Sequence, residues 1–89
     1  MTRAETLDRA KACVCGKRQE DYGSPEDNFL AIAEMWSRYL GFGINCADVA
    51  VMMIMLKIAR IKTGMGTEDC WVDIAGYAAC GCELRRENR

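Results

Sequence analysis

An apolar run of eight residues, VAVMMIML at positions 49–56, constrains the fold of this chain more than any other feature. A helix built from such residues has no polar face and needs apolar neighbours on every side. The chain has only 89 residues, of which 51% are hydrophobic, and a domain so small buries only about 60% of its unfolded surface. Because a few short helices can hardly surround the run within one chain, it predicts a homo-oligomer.

Signals that start and stop helices recur along the chain, whereas patterns typical of strands are absent. Thr2 with Glu5 forms a T-x-x-E capping box, and Ser24 followed by Pro25 is a strong helix start. Asn45 can cap a third helix, and a hydroxyl cap followed by acids opens a fourth. These signals predict helices over about residues 3–18, from Ser24 to Gly41, from Asn45 to about Thr63, and from Thr67 to about Glu87.

The short connections between these helices favour antiparallel neighbours. We therefore predict one all-α domain over residues 1–89, a four-helix antiparallel bundle that is completed by oligomerisation. Trp36 and Trp71 are expected in its core. The charged end from Leu84 to Arg89 is expected to fray, as the last residues of many domains do.

Composition excludes several classes of function. The chain has no histidine, which removes histidine general bases, Ser-His-Asp and Cys-His nucleophile pairs and most zinc hydrolase sites. Its net charge of −1 argues against nucleic acid held by bulk electrostatics but leaves room for a small anionic ligand. The apolar run is too short to span a membrane, which takes about 20 residues. No export signal is expected, so we predict a cytoplasmic protein.

Six cysteines are many for a chain of this length. They lie mostly in helical patterns among small residues, which favours a role as packing residues in a reducing compartment. The alternative is zinc bound by the Cys13/Cys15 and Cys80/Cys82 pairs. Side chains two residues apart on a helix point about 200° away from each other, so this spacing favours packing.

A basic stripe follows the apolar run on the third helix. Lys57 and Arg60 are three residues apart and so share a helix face. Their stems are expected to be buried. Their charged ends can pair with Asp69 and Asp73 across a helical hairpin, or they can contact a phosphate. The sequence leaves both interpretations open.

The fourth helix places Asp69, Asp73 and Tyr77 at four-residue spacing, along one line of its surface. Asp69 is explained by the helix dipole, because it lies in the first turn. Asp73 lies mid-helix among apolar residues and needs a partner, which is a basic residue of the third helix, a metal or a ligand hydroxyl. Gly76 costs about 1 kcal/mol relative to Ala in a helix interior, which indicates a close approach by a backbone or a ligand.

The segment before the second helix combines acids, an aromatic residue and a glycine. Ser24 to Asp27 is interpreted as a capped turn. Tyr22 and Asn28 are less easily explained by capping, and we predict that they stack on and hydrogen-bond a base. The candidate ligand-binding residues are Tyr22, Asn28, Lys57, Arg60, Asp73 and Tyr77.

Three segments form a set: EDYGSPEDNF at 20–29, DVAVMMIMLKIARIKTG at 48–64 and DIAGYA at 73–78. As a set they resemble a family of small phage and prophage helical proteins of unassigned function. The basic helix followed by the acidic helix is also similar, more distantly, to phage nucleotide-modification-associated domains and to MazG-type all-α nucleotide pyrophosphohydrolases. That similarity implies nucleotide ligands, and for a hydrolase it implies Mg²⁺ bound by carboxylates, here Asp69 and Asp73.

Three functions follow as hypotheses. The preferred one is a small phage-type oligomer that binds a nucleotide or related phosphorylated small molecule without a cofactor, and so sequesters a defence signal in a bacterial host cell. The second is a Mg²⁺-dependent nucleotide pyrophosphohydrolase of the MazG-like class. The third is a structural or protein-interaction module, in which the charges only stabilise the hairpin.

Overall fold

The computed structural model describes residues 1–16, 23–64 and 66–85, and within these ranges the chain is helical and contains no strand. The order of elements agrees with the prediction of an all-α fold. The four helices are α1 (Arg3–Cys15), α2 (Pro25–Leu40), α3 (Cys46–Lys62) and α4 (Glu68–Leu84).

Two capping boxes fix the starts of α1 and α3. The sequence predicted the box at Thr2, and at Asn45 it predicted a cap. The Thr2 hydroxyl accepts the Glu5 N–H at 3.1 Å, and the Glu5 carboxylate accepts the Thr2 N–H at 3.0 Å. The hydrogen bond from the Thr2 N–H lowers the pKa of the Glu5 carboxyl group, and the Thr2 side chain lowers it further. Asn45 and Asp48 form the equivalent pair at 2.8 and 3.0 Å. Each box satisfies backbone donors that the first helical turn leaves unpaired.

The other two helices start differently from each other. The Ser24 hydroxyl accepts the Asp27 N–H at 3.2 Å, with Pro25 in the first turn, as the sequence predicts. Thr67 occupies the N-cap position of α4, but its side chain makes no capping hydrogen bond. The prediction of a hydroxyl cap at Thr67 is therefore wrong, and the acids of the first turn stabilise this end through the helix dipole.

Two helix ends also differ from the sequence prediction. The last helical residue of α1 is Cys15, and the predicted continuation to residue 18 runs beyond residue 16 and outside the described residues. The last helical residue of α4 is Leu84, three residues before the predicted end. Leu84 is only 2% exposed and packs in the main core cluster, so the expectation of a frayed end is wrong at this residue. Its buried side chain anchors the last turn.

The core lies between α2, α3 and α4. Trp36 is partly buried and packs against this cluster, but Trp71 is 59% exposed, so the prediction of a core position is wrong for Trp71. Its neighbours Cys70 and Val72 face inward instead. The buried cluster comprises Phe29, Ala33, Cys46, Val49, Ala50, Cys80 and Leu84.

Helices α3 and α4 form an antiparallel hairpin. Lys57 near the end of α3 meets Asp73, and Ala50 near its start meets Gly81, so one helix advances as the other returns. A Cβ atom at Gly81 would lie 2.9 Å from the Cβ of Ala50, which shows how closely the two backbones approach. Only glycine allows this spacing.

Hydrogen bonds of the Ser37 side chain stabilise the turn between α2 and α3. The Ser37 hydroxyl accepts the Ile44 N–H at 2.8 Å and donates to the Ala33 carbonyl at 2.7 Å. Gly41 ends α2 with a φ of 81°, a left-handed conformation that favours glycine. The short connection over residues 41–45 joins α2 to α3, and the antiparallel order of these two helices remains a prediction.

Helix α1 departs from the predicted antiparallel order. It packs on α4, where Arg9 contacts Asp69 and Val14 contacts Gly76. Later residues of α1 therefore meet later residues of α4, so these two helices run in roughly the same direction. Local sequence signals set where a helix starts and ends, but they carry no information about this pairing.

Only one side of the apolar run on α3 is buried within the chain. Val49 and Ala50 are 0% and 1% exposed, whereas Val51 and Met55 are 55% and 60% exposed. The expectation that the short helices of one chain can hardly surround the run is therefore confirmed. Oligomerisation, which the prediction invoked to cover the exposed side, remains a prediction.

Candidate functional site

A pocket of about 400 Å³ opens where the end of α1, the start of α2 and the α3–α4 hairpin meet. Its volume lies in the lower part of the range for small-molecule sites, about 300–1,000 Å³. Apolar walls with a few convergent polar groups are typical of such sites. The polar side chains among the described lining residues include Asn28, Lys57, Asp73 and Tyr77.

An ion pair between Lys57 and Asp73 forms the charged part of the pocket. The Lys57 Nζ atom lies 3.0 Å from Asp73 Oδ2, and the two side chains are 13% and 32% exposed. Lys57 follows the apolar run of α3, so its stem is buried while its ammonium group reaches the pocket. Asp73 lies mid-helix on α4, and the structure therefore supplies the partner that the sequence required.

Two aromatic rings flank this pair. Tyr77 follows Asp73 by about one turn of α4, and its ring centroid lies 6.1 Å from that of Phe29, with the planes tilted by 36°. Phe29 is buried and belongs to the core cluster, which fixes the position of this aromatic wall. Rings at this distance and tilt attract each other through their quadrupoles.

Gly76 gives the pocket part of its depth. It is buried on α4, and a Cβ atom at this position would lie 3.2 Å from Val14 Cγ1. A close approach at Gly76 is therefore confirmed, but the prediction of a backbone or a ligand is wrong for the described residues, because the approaching group is a side chain of α1. An alanine here would enter the space that Val14 and the pocket now share.

Asn28 brings the start of α2 to the pocket. Its side-chain amide donates a long hydrogen bond of 3.5 Å to the Gly23 carbonyl, and both residues line the cavity. The predicted ligand residue Tyr22 directly precedes Gly23 in the chain but lies outside the described residues.

Two residues that the sequence predicted for a ligand or metal site lie away from the pocket. Arg60 is exposed and is not among the described lining residues. Asp69 pairs with Arg9 of α1 at 3.2 Å, and both side chains are more than half exposed. The predicted pairing of Asp69 with the basic stripe of α3 is therefore wrong, because α1 packs on this end of α4 and supplies the cation.

The Asp69–Asp73 pair does not form a metal-binding group with a third ligand. Within residues 1–16, 23–64 and 66–85, no three Cys, Asp or Glu side chains come together as a metal site would require. Asp69 and Asp73 instead contact different cations on different helices.

Sequence reasoning missed two features of the pocket, the ring of Phe29 and the thiol of Cys80. Cys80 follows Tyr77 by three residues, so the helical spacing that linked Asp73 to Tyr77 could have placed it on the same face. Burial raises the pKa of the Cys80 thiol, and the nearby Glu26 carboxylate raises it further. All six cysteines are free thiols. The predicted packing role agrees with the burial of Cys46, Cys70 and Cys80 but is wrong for Cys15 and Cys82, which are exposed.

A second concave surface, which we call the apolar groove, lies on another face of the α3–α4 hairpin. Its volume is about 380 Å³, and its lining is almost wholly apolar. Tyr77 lines both the pocket and the groove. The residues of the groove are Ala47, Ala50, Val51, Ile54, Tyr77, Ala78, Gly81, Cys82 and Arg85.

None of the helices formed by the described residues combines the length and the apolar character needed to cross a bilayer.

Comparison with known proteins identifies the family. Residues 5–85 match a domain of unknown function, DUF6378. The chain is 43% identical over 74 residues to the Gene 55 protein of Mycobacterium phage D29, and 45% identical over 73 residues to that of Mycobacterium phage L5. These alignments cover 83% and 81% of this chain but 49% and 47% of the phage proteins.

The chain therefore spans about half the length of the curated relatives it matches. No solved structure matches it. The resemblance to a phage family of unassigned function is confirmed, whereas similarity to the nucleotide-modification and MazG-type proteins remains a prediction. The match over nearly the whole chain shows that this protein belongs to the DUF6378 family.

Proposed function

We propose that this protein binds a nucleotide or a related phosphorylated small molecule in the pocket between α1, α2 and the α3–α4 hairpin, without a metal. One observation supports this more than any other. Of the six ligand residues predicted from the sequence, Asn28, Lys57, Asp73 and Tyr77 line one cavity of about 400 Å³. These residues come from three helices and are up to 49 positions apart in the chain, so their convergence is a property of the fold.

The chemistry of the walls suits such a ligand. The rings of Phe29 and Tyr77 offer apolar surface to a base, and Asn28, Lys57 and Asp73 offer hydrogen bonds. Arg60 lies beyond the described lining of the pocket. It would meet a phosphate only where the ligand extends outside the cavity.

A phage setting suggests what such binding achieves. Two relatives of this chain are mycobacteriophage proteins. A phage protein that binds a nucleotide without consuming it lowers the free concentration of that nucleotide, which would blunt a bacterial defence that signals through it. We propose this sequestering role in the cytoplasm of the host cell.

The same proposal includes a homo-oligomer. Val51, Met55 and Ile58 follow one another at helical spacing on α3, and each is more than half exposed. Monomeric proteins rarely expose contiguous apolar patches larger than a few hundred Å². This stripe lies beside the apolar groove, to which Val51 itself belongs. A second copy of the chain would bury both.

A structural role is the second candidate, and the Lys57–Asp73 distance of 3.0 Å favours it. An ion pair this close can stabilise a helical hairpin with no ligand present. Replacing both partners of such a pair with apolar residues is often neutral or stabilising. The structural role therefore predicts that the double replacement has no functional consequence.

Thermal unfolding against a panel of nucleotides, deoxynucleotides and cyclic nucleotides, with and without Mg²⁺, separates these functions. A ligand at a hundredfold excess over its Kd stabilises the fold by about 2.7 kcal/mol. A rise in Tm without Mg²⁺ and without product supports the proposal. Mg²⁺-dependent consumption of the ligand would instead support the hydrolase, with Asp69 and Asp73 as candidate Mg²⁺ ligands. No shift with any member of the panel would favour the structural role.

A further inference from the structure

We infer that the pocket receives the heterocyclic base of the ligand, that the Lys57–Asp73 pair binds the hydrogen-bonding edge of this base, and that the phosphates stay outside. This inference rests on the proposed function and deepens it. It gives Lys57 a role that differs from both sequence interpretations, which were pairing with an acid across the hairpin and contact with a phosphate.

The charge of the pocket is the first argument. Among its described lining residues, Lys57 supplies the only cationic side chain and Asp73 the only anionic one. The two charges cancel, and the ammonium group already has a carboxylate 3.0 Å away. A phosphate chain in this space would place several negative charges beside Asp73 with no free cation, which is costly in a partly buried site.

The hydrogen-bonding capacity of the pair is the second argument. An ammonium group has three N–H donors and no acceptor, and a carboxylate has about four acceptor sites and no donor. The contact between Lys57 and Asp73 uses one donor and one acceptor site. The pair can therefore donate one hydrogen bond and accept another side by side without separating.

Nucleobases have the complementary edge. Each presents an acceptor next to a donor, either a carbonyl oxygen beside an N–H group or a ring nitrogen beside an amino group. Lys57 would donate to the acceptor, and Asp73 would accept from the donor. No buried charge loses its partner in this arrangement, so the desolvation cost that a phosphate would incur does not arise.

The size and walls of the pocket are the third argument. A cavity of about 400 Å³ accommodates a base with its sugar more readily than a complete nucleoside triphosphate. The tilted rings of Phe29 and Tyr77 provide apolar surface beside the ion pair. Stacking on aromatic side chains contributes about 1–3 kcal/mol per base in known single-strand binding proteins.

The start of α2 also disfavours a phosphate inside the pocket. A helix N-terminus can bind anions, but Glu26 and Asp27 already occupy the first turn of α2. The Glu26 carboxylate acts on the pocket, because it contributes to the raised pKa of Cys80. Its negative charge would repel a phosphate at this side.

Calorimetric titration of the full chain, without Mg²⁺, tests the inference. The probes are the four common ribonucleosides and their monophosphates, with ribose 5-phosphate, pyrophosphate and tripolyphosphate as competitors. We expect at least one nucleoside to bind within about tenfold of its own monophosphate, since a factor of ten is about 1.4 kcal/mol. We expect none of the three phosphate compounds to compete.

Failure of the inference and failure of the proposed function give different results in this titration. If the phosphate compounds compete while nucleosides do not bind, the inference is overturned and the proposed function stands. If no nucleoside, nucleotide or phosphate compound binds, the proposed function fails and the inference fails with it.

A matched pair of variants on α4 locates the binding. Asp73→Asn keeps the size of the side chain but replaces an acceptor with a donor, and we expect it to weaken nucleoside binding at least tenfold. Asp69→Asn makes the same chemical change at the exposed Arg9 pair and should leave binding unchanged. Equal effects from the two variants would overturn the inference. If Asp73→Asn does not fold, the competition pattern of the unmodified chain still decides.

Discussion

The two faces of the α3–α4 hairpin differ in chemistry although their cavities are of similar size. The pocket combines an ion pair with two aromatic rings, whereas the apolar groove contains mainly alanine, glycine and small aliphatic side chains. A few polar groups in an apolar wall specify the orientation of a small ligand. The groove instead lies beside exposed large side chains of α3, which is why a second copy of the chain is proposed to bind there.

Two helices can thus carry two concave surfaces of different chemistry. Lys57 and Asp73 point to one face, and Ala50 and Gly81 meet along another. Tyr77 lies between them and lines both cavities. The small residues let the backbones approach closely, and this close packing holds the charged pair in place.

The largest effect is expected from a substitution in the core that supports both faces of the hairpin. Leu84→Ala should lower the free energy of unfolding by about 2–5 kcal/mol, because Leu84 is 2% exposed and the substitution leaves a cavity in the core. Urea denaturation followed by circular dichroism measures this change. The matched control is Leu30→Ala, since Leu30 is 49% exposed on α2 and should change stability by about 0.5 kcal/mol or less. Equal losses of unfolding free energy in the two variants would show that the Leu84 side chain does not anchor the end of α4.

The next effect concerns the groove face alone. Gly81→Val should destabilise the fold by about 1–3 kcal/mol, because a Cβ atom at this position lies 2.9 Å from the Cβ of Ala50, which cannot move independently of the backbone. Gly43→Ala is the control, because nothing lies within 4 Å of the Cβ atom it adds. Thermal unfolding of the two variants should separate them clearly, and an unchanged Tm for Gly81→Val would contradict the close helix contact.

A smaller effect concerns the pocket face and depends on pH. Burial raises the pKa of Cys80 above the usual 9.0, so the folded state holds this proton more tightly than the unfolded state. The stabilising contribution is complete below about pH 9 and is lost as the pH rises further, by at most about 1.4 kcal/mol per pH unit. Chemical denaturation at pH 8 and pH 10 should show a steeper loss for the unmodified chain than for Cys80→Ala. Parallel losses would contradict a raised pKa.

The substitution with the smallest expected effect on stability tests the proposed oligomer. Met55→Lys should change the free energy of unfolding of the isolated chain by about 0.5 kcal/mol or less, because Met55 is 60% exposed. It should nevertheless reduce the mass measured by sedimentation, since a charge would enter the proposed interface. Met35→Lys, 65% exposed on α2, is the matched control and should retain the oligomer. A monomeric unmodified chain would contradict the proposal for the groove face.

Local features of this molecule could be predicted from the sequence. The boxes at Thr2 and Asn45 need only a hydroxyl or amide side chain and a carboxylate three residues later. The contact of Lys57 with Asp73 follows from one helical hairpin with a short connection. In each case the partners are close in the chain or separated by a single turn, so the geometry of one helix or one hairpin determines the result.

Features that depend on how distant helices pack could not be predicted. The contact of Asp69 with Arg9 requires knowledge that α1 lies on α4. Trp71 is expected in the core from the sequence, but its position on α4 faces outward. Phe29 reaches the pocket only because α2 packs against the hairpin. Hydrophobic periodicity indicates which face of a helix is buried but not which helix covers it.

The proposed function requires that the Lys57–Asp73 pair binds a ligand and does not only stabilise the hairpin. The most direct test compares the unmodified chain with the double variant Lys57→Met, Asp73→Leu in ligand-induced thermal shift, without Mg²⁺. We expect the double variant to fold with a Tm close to or above that of the unmodified chain, yet to lose the nucleotide-induced rise in Tm that the unmodified chain shows. An unmodified chain that no nucleotide stabilises, or a double variant that retains the full shift, would contradict it.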